Sequence, residues 1–113
     1  HLCLKVAERL ANDKVANCEV IDLRSLIPLD KETIFESVKK TSKVLIVHED
    51  KVFSGLGAEL AATIGTELYQ HLDAPIQRVG SVFTPVGFHP VLEKAILPDA
   101  DRIYKAASDL LAY

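Results

Sequence analysis

The sequence predicts a three-layer α/β/α domain whose sheet is mostly parallel. Brief apolar or β-branched runs at Cys18–Leu23, Val44–Val47 and Ile76–Val79 alternate with longer stretches of helical periodicity through short connections, the pattern of repeated βα units. The run Val44-Leu-Ile-Val47 is apolar at consecutive positions, as expected of a parallel strand covered on both faces. A chain of 113 residues with 49% hydrophobic residues is large enough to bury one ordinary core, so residues 1–113 are expected to form a single domain.

Each element follows in turn. Leu2, Val6 and Leu10 recur at i, i+4 and i+8, one apolar face of a helix over residues 1–12. No capping residue precedes it, which leaves its first backbone donors without a partner and points to a domain whose start lies further upstream. Asn12-Asp13-Lys14 turns the chain into Cys18–Leu23, expected as a strand, and Arg24–Leu29 is a loop. Asp30 caps a helix over 31–41 with Thr33 at its third position, and Ile34, Phe35 and Val38 make its apolar face. Lys39, Lys40 and Lys43 favour its C-terminal dipole end. Strand 44–47 follows, then a Gly-containing turn and an Ala-rich helix from 57 to 71. Asp73-Ala-Pro75 breaks the chain before strand 76–79. Pro85, Gly87 and Pro90 among apolar neighbours predict an extended, ordered loop over 80–90. A short helix spans 90–97, and a last one begins at Pro98, with Asp99 and Asp101 in its first turn and Ile103, Ala106, Ala107, Leu110 and Leu111 on its buried face.

Composition removes several classes of function. The net charge of -3 and the absence of any basic cluster provide no complement to phosphates, which argues against nucleic acid or an anionic membrane surface. No apolar stretch is long enough to span a bilayer and no secretory signal pattern opens the chain. Cys3 and Cys18 lie outside any metal-ligand or redox spacing and are expected as reduced, partly buried thiols. The bacterial cytoplasm and the mitochondrial matrix both fit these features.

The polar groups worth weighing follow the 44–47 strand. His48, Glu49 and Asp50 stand at its carboxyl end, where open α/β sheets meet ligands and partners. Adjacent strand residues point to opposite faces, so His48 and Glu49 cannot converge on one ion, and no metal site is expected. A His held by a hydrogen bond at a domain or subunit contact is the plainer expectation for this position. Ser54-Gly55-Leu56-Gly57 before a helix is either a tight helix start or an anion cradle of backbone N–H groups. It is neither GxGxxG nor a Walker sequence, and Val52 occupies the position where a nucleophile elbow around Ser54 needs glycine.

Taken in order, Glu19-Val-Ile-Asp-Leu-Arg-Ser-Leu-Ile-Pro-Leu-Asp30, Ser37–Thr41, Val44–Glu49 with Gly55 and Gly57-Ala-Glu59, Asp73-Ala-Pro-Ile76, Arg78-Val79 and Leu97-Pro98 resemble the C-terminal domain of the beta subunit of thiamine-diphosphate-dependent 2-oxo acid dehydrogenases. The wording is closer to the pyruvate and branched-chain (2-oxoisovalerate) members than to transketolase itself. The resemblance implies an oxidoreductase that decarboxylates a 2-oxo acid and acylates a lipoyl group in a multienzyme complex. It implies thiamine diphosphate with Mg bound by the parent enzyme, through residues outside this sequence, so that this piece alone is inactive and holds no catalytic, cofactor-binding or metal residue. The implied partners are an alpha subunit or alpha region, a second beta subunit in a heterotetramer, and the subunit-binding domain of a dihydrolipoyl acyltransferase. His48, Glu49, Ser54, Gly55 and Gly57 are the candidates for an interface or an anion. Asp73 and the Tyr113 carboxylate are candidates for the basic acyltransferase surface. The alternative is a small free-standing α/β module that binds an anion or nucleotide at Ser54–Gly57.

The sequence departs from this family in one respect. Family domains carry further strands before the first helix, one of them between the strands that hold Ile21 and Ile46. Neither is present here, so a gap inside the sheet and an N-terminally truncated domain are the expectation.

Overall fold

The computed structural model describes residues 1–113 and builds α1 (Leu2–Asn12), α2 (Lys31–Thr41), β1 (Leu45–Lys51), α3 (Leu56–Leu68), a one-turn 3₁₀ helix (Tyr69–His71), β2 (Gln77–Ser81), α4 (Pro90–Ile96) and α5 (Ala100–Leu111). Strands β1 and β2 pair in parallel with Leu45 opposite Gln77 and Val47 opposite Val79. The register slips between Val47 and Lys51, so the end of β1 that carries His48, Glu49 and Asp50 is bulged.

Alternation along β1 divides the interior into two cores. Leu45 and Val47 pack on one side against Val6, Leu10, Val79, Ile103 and Ala107, the meeting faces of α1 and α5 with the sheet. Ile46 packs on the other side, with Ile76, against Ile34, Val38, Ile64 and Leu68 of α2 and α3. The three layers expected from the alternation of elements are therefore present.

Caps follow the sequence closely. The Asp30 carboxylate accepts from the Thr33 backbone N–H at 3.0 Å and from its hydroxyl at 2.7 Å, and these bonds hold Asp30 below the usual carboxylate range. Asp99 accepts from the Arg102 N–H at 2.8 Å, so Asp99 caps α5 and Pro98 lies just outside it. Arg102 in turn donates to the carbonyls of Gly80 (2.9 Å) and Leu97 (3.2 Å), tying the end of β2 to the start of α5. Helix α3 ends at Leu68, and the 3₁₀ turn, not α-helix, carries the chain to His71. Strand β1 runs past Val47 to Lys51, placing His48 within the strand. Strand β2 begins one residue later than expected and continues to Ser81. Of the two thiols expected to be partly buried, Cys3 is half-buried but Cys18 is exposed.

The main correction concerns Cys18–Leu23. The segment is extended but forms no ladder, and β1 is bonded on one edge only, to β2. Side chains hold the segment instead: Glu19 accepts from the Ser37 hydroxyl at 2.6 Å and pairs with the Lys40 ammonium, while Leu23 packs against the α2/α3 core. Between this segment and β1 lies a cleft. One cavity of about 260 Å³ opens on its α1/α5 side and another of about 210 Å³ on its α2/α3 side, and Glu19, Ile21, Leu45 and Val47 line both. The extended segment and the free edge of β1, with a void on each side of the sheet plane, frame this cleft.

Candidate functional site

The residues at the carboxyl end of β1 come together, although not as a catalytic set. The β1 alternation turns His48 toward α3, where its ring packs against Gly57; a Cβ at that position would overlap the imidazole. A Cβ at Gly80 would stand 3.0 Å from the ring's Cε1, so two glycines, one on α3 and one on β2, make room for this side chain. Both His48 nitrogens are shielded from solvent and neither has a hydrogen-bond partner. The expected hydrogen bond of His48 is therefore absent within this chain, which is unusual for a buried polar group.

Glu49 is exposed. Its carbonyl accepts from the buried Ser81 hydroxyl, locking the bulge onto β2. Ser54 has a left-handed backbone (φ 60), an uncommon state for a non-glycine residue, and it delivers Gly55 as the residue before α3. Gly55 supplies no side-chain cap. The space at its Cα faces the Lys51 carbonyl and the Asp50 carboxylate, both negative or partly so. That environment does not fit a diphosphate, and no group of three or more His, Cys, Asp or Glu side chains is gathered to hold a cation.

The feature missed in the sequence lies beside them. Phe53 (69% exposed) and Phe83 (68% exposed) meet edge to face with centroids 5.2 Å apart, and the Lys51 ammonium lies 5.4 Å from the Phe83 ring. Val86, Phe88, Val91 and Leu92 extend an apolar surface along the 82–92 segment. The apolar residues among Pro85, Gly87 and Pro90 were the available signal, but nothing in the sequence orients them outward. Arg78 secures this end by donating to the Val52 carbonyl at 2.9 Å.

Asp73 and Tyr113 occupy the opposite end of the strands. The Asp73 N–H donates to the Ser42 carbonyl at 2.9 Å, and the adjacent Lys43 ammonium donates to the carbonyls of Leu110 and Leu111, each at 3.3 Å. Both candidates are exposed, and the Ser42-Lys43 pair links their segments without bringing them to the His48 end.

The family model for the transketolase C-terminal domain matches residues 1–103. The chain is 43% identical over 112 residues to the pyruvate dehydrogenase E1 component subunit beta of Rickettsia felis, covering 99% of this chain and 34% of that protein. It is 42% identical over 108 residues to the mitochondrial 2-oxoisovalerate dehydrogenase subunit beta of Dictyostelium discoideum, covering 95% and 29%. To the beta subunit of acetoin:2,6-dichlorophenolindophenol oxidoreductase of Bacillus subtilis it is 38% identical over 108 residues, covering 96% and 31%. The chain thus spans about a third of the length of the curated relatives it matches.

Proposed function

We infer the function from one premise: this chain belongs to the transketolase C-terminal domain family. Its relatives include beta subunits of pyruvate and 2-oxoisovalerate dehydrogenases, about a third of whose length it matches. On this basis the chain is the assembly domain of such a beta subunit. The parent enzyme oxidatively decarboxylates pyruvate or a branched-chain 2-oxo acid and acylates a lipoyl group, using thiamine diphosphate with Mg held outside this domain. The domain joins an alpha subunit or alpha region and a second beta subunit, and docks the acyltransferase subunit-binding domain at Asp73 and Tyr113. Its setting is the bacterial cytoplasm or the mitochondrial matrix.

The observation that carries this proposal is the apolar surface built on Phe53 and Phe83 at the carboxyl end of the strands. That is where an α/β domain of independent activity would hold polar loops around a ligand. Exposed aromatic and aliphatic side chains, two of them in ring contact, instead mark a surface that other protein covers. His48, Glu49, Ser54, Gly55 and Gly57 then serve as its rim and support. The free-standing anion-binding module draws little support from a helix start already faced by a carboxylate and a carbonyl.

The cleft between 18–23 and β1 extends the proposal. We read it as the seat of a further parallel strand of the full-length polypeptide, completing a βαβ unit with α1 as its crossover helix. What supports it is the pair of unbonded edges and the matched cavities.

The test is a 2-oxo acid decarboxylation assay with lipoyl acceptor on the full-length protein and its co-purifying subunit, beside the 113-residue chain alone. Activity in the assembly and none in the chain is the expected result. Binding of inorganic phosphate or a nucleotide by the chain alone, with no subunit partner, would replace this function with the small module.

A further inference from the structure

We propose that His48 is a polar anchor for the strand that fills the cleft, and that this strand carries a hydroxyl or carboxamide side chain at the height of His48 on its α2/α3 face. The inference rests on the strand reading of the cleft given above and adds to it the chemistry of one position.

His48 is one of the residues lining the cavity on the α2/α3 side of the cleft, together with Ile46 and Gly57. Its neighbours within the chain are committed to shape: the two glycines fit the ring closely, which fixes where its nitrogens stand. An imidazole held this way is poorly suited to turn toward solvent for a partner. Both nitrogens are nonetheless without one, and a buried donor or acceptor left unpaired destabilises the folded state. An apolar residue would fill the position without that penalty, so a polar ring here calls for a group from outside these 113 residues.

The occupant is a strand of the same full-length polypeptide. The relatives' chains are about three times as long as the matched region, which leaves ample chain to supply one. Along a parallel strand beside β1, backbone groups are taken up by the ladder, so the partner of His48 is a side chain. It points to the α2/α3 face, as His48 does, whereas its neighbours on either side point into the cavity beside α1 and α5. A short neutral group that can both donate and accept suits either ring nitrogen of an imidazole.

The test is a crystal structure of the full-length polypeptide with its subunits, together with urea denaturation of the same assembly carrying His48→Leu or His48→Gln. The expected result is a strand in the cleft with a hydroxyl or amide atom within hydrogen-bond distance of a His48 nitrogen. His48→Leu should then lower the folded-to-unfolded ratio about tenfold, with partial recovery in His48→Gln. A strand in the cleft with only apolar groups facing His48, and a His48→Leu assembly at least as stable as the natural one, would overturn the anchor and leave the strand in place. A cleft that holds no strand in the full-length polypeptide would overturn both.

Discussion

The guanidinium of Arg9 on α1 lies over the ring of Tyr104 on α5, 4.1 Å from its centroid. Arg9 also meets Asp101 at 3.1 Å, and the Tyr104 hydroxyl donates to Asp13 at 2.8 Å, a bond that pushes the phenol above its ordinary range. The two helices are thus joined outside their apolar seam. In a double-mutant cycle of Arg9→Ala with Tyr104→Ala, read by urea midpoints, the double variant should lose less than the sum of the two single losses. Strict additivity would mean that the stack adds no stability.

Beneath that seam, Leu10 and Ile103 are 1% and 2% exposed. Ile103→Ala should destabilise the domain by about 2–5 kcal/mol through lost burial and the cavity left behind. Thermal or urea unfolding of the full-length subunit measures this, and a loss below about 1 kcal/mol would indicate a core that collapses around the gap.

The Asp30 cap supports helix α2, so Asp30→Ala should lower the urea midpoint of unfolding and Asp30→Asn should lower it less. Equal losses for the two substitutions would assign the contribution to charge and not to the bonds with Thr33.

Glu19 is held below the usual carboxylate range, first by its bond with Lys40 and then by that with Ser37. A carboxylate depressed in the folded state stabilises it above the unfolded pKa, and that contribution disappears as pH falls through the depressed folded value. Stability should therefore decline as pH drops from about 4.3, the ordinary Glu value, downward. Glu19→Gln should flatten that part of the profile without altering the profile above pH 6. An unchanged acid limb in Glu19→Gln would show that the clamp on residues 18–23 carries no linked proton.

Phe83 presents most of its ring to solvent, so Phe83→Ser should alter the isolated subunit's stability by no more than about 0.5 kcal/mol. In the proposed interface this ring would be a buried aromatic, so its loss is expected to weaken subunit association by about 2 kcal/mol or more, some thirtyfold. Sedimentation equilibrium of the purified assembly distinguishes the two effects. Unweakened association would remove the Phe53–Phe83 surface from the contact.

Local signals in the sequence were sufficient for most of this fold. The periodicity of Leu2, Val6 and Leu10 and the Asp30 cap each led to a helix now seen with nearly the same bounds, whereas the apolar run at Val44 located a strand that continues past Val47 to Lys51. Cys18–Leu23 has the composition of a strand, but a strand exists only with a neighbour, and neighbours are set by the rest of the sheet. The close packing of His48 on Gly57 was equally illegible, because it joins a strand and a helix across a turn whose path depends on Ser54. The outward face of Phe53 and Phe83 was hidden for a further reason: apolar residues in a Pro-containing loop read alike whether they turn in or out.

The Ser42-Lys43 pair also bears on stoichiometry. It holds Asp73 and the end of α5 together at the start of β1, whereas Phe53 and Phe83 stand beyond its other end. Seven strand residues separate them, about 20 Å at 3.3 Å per residue. Two proteins bound at these ends would not compete for the same ground, so occupation of one leaves the other vacant for a simultaneous ternary complex.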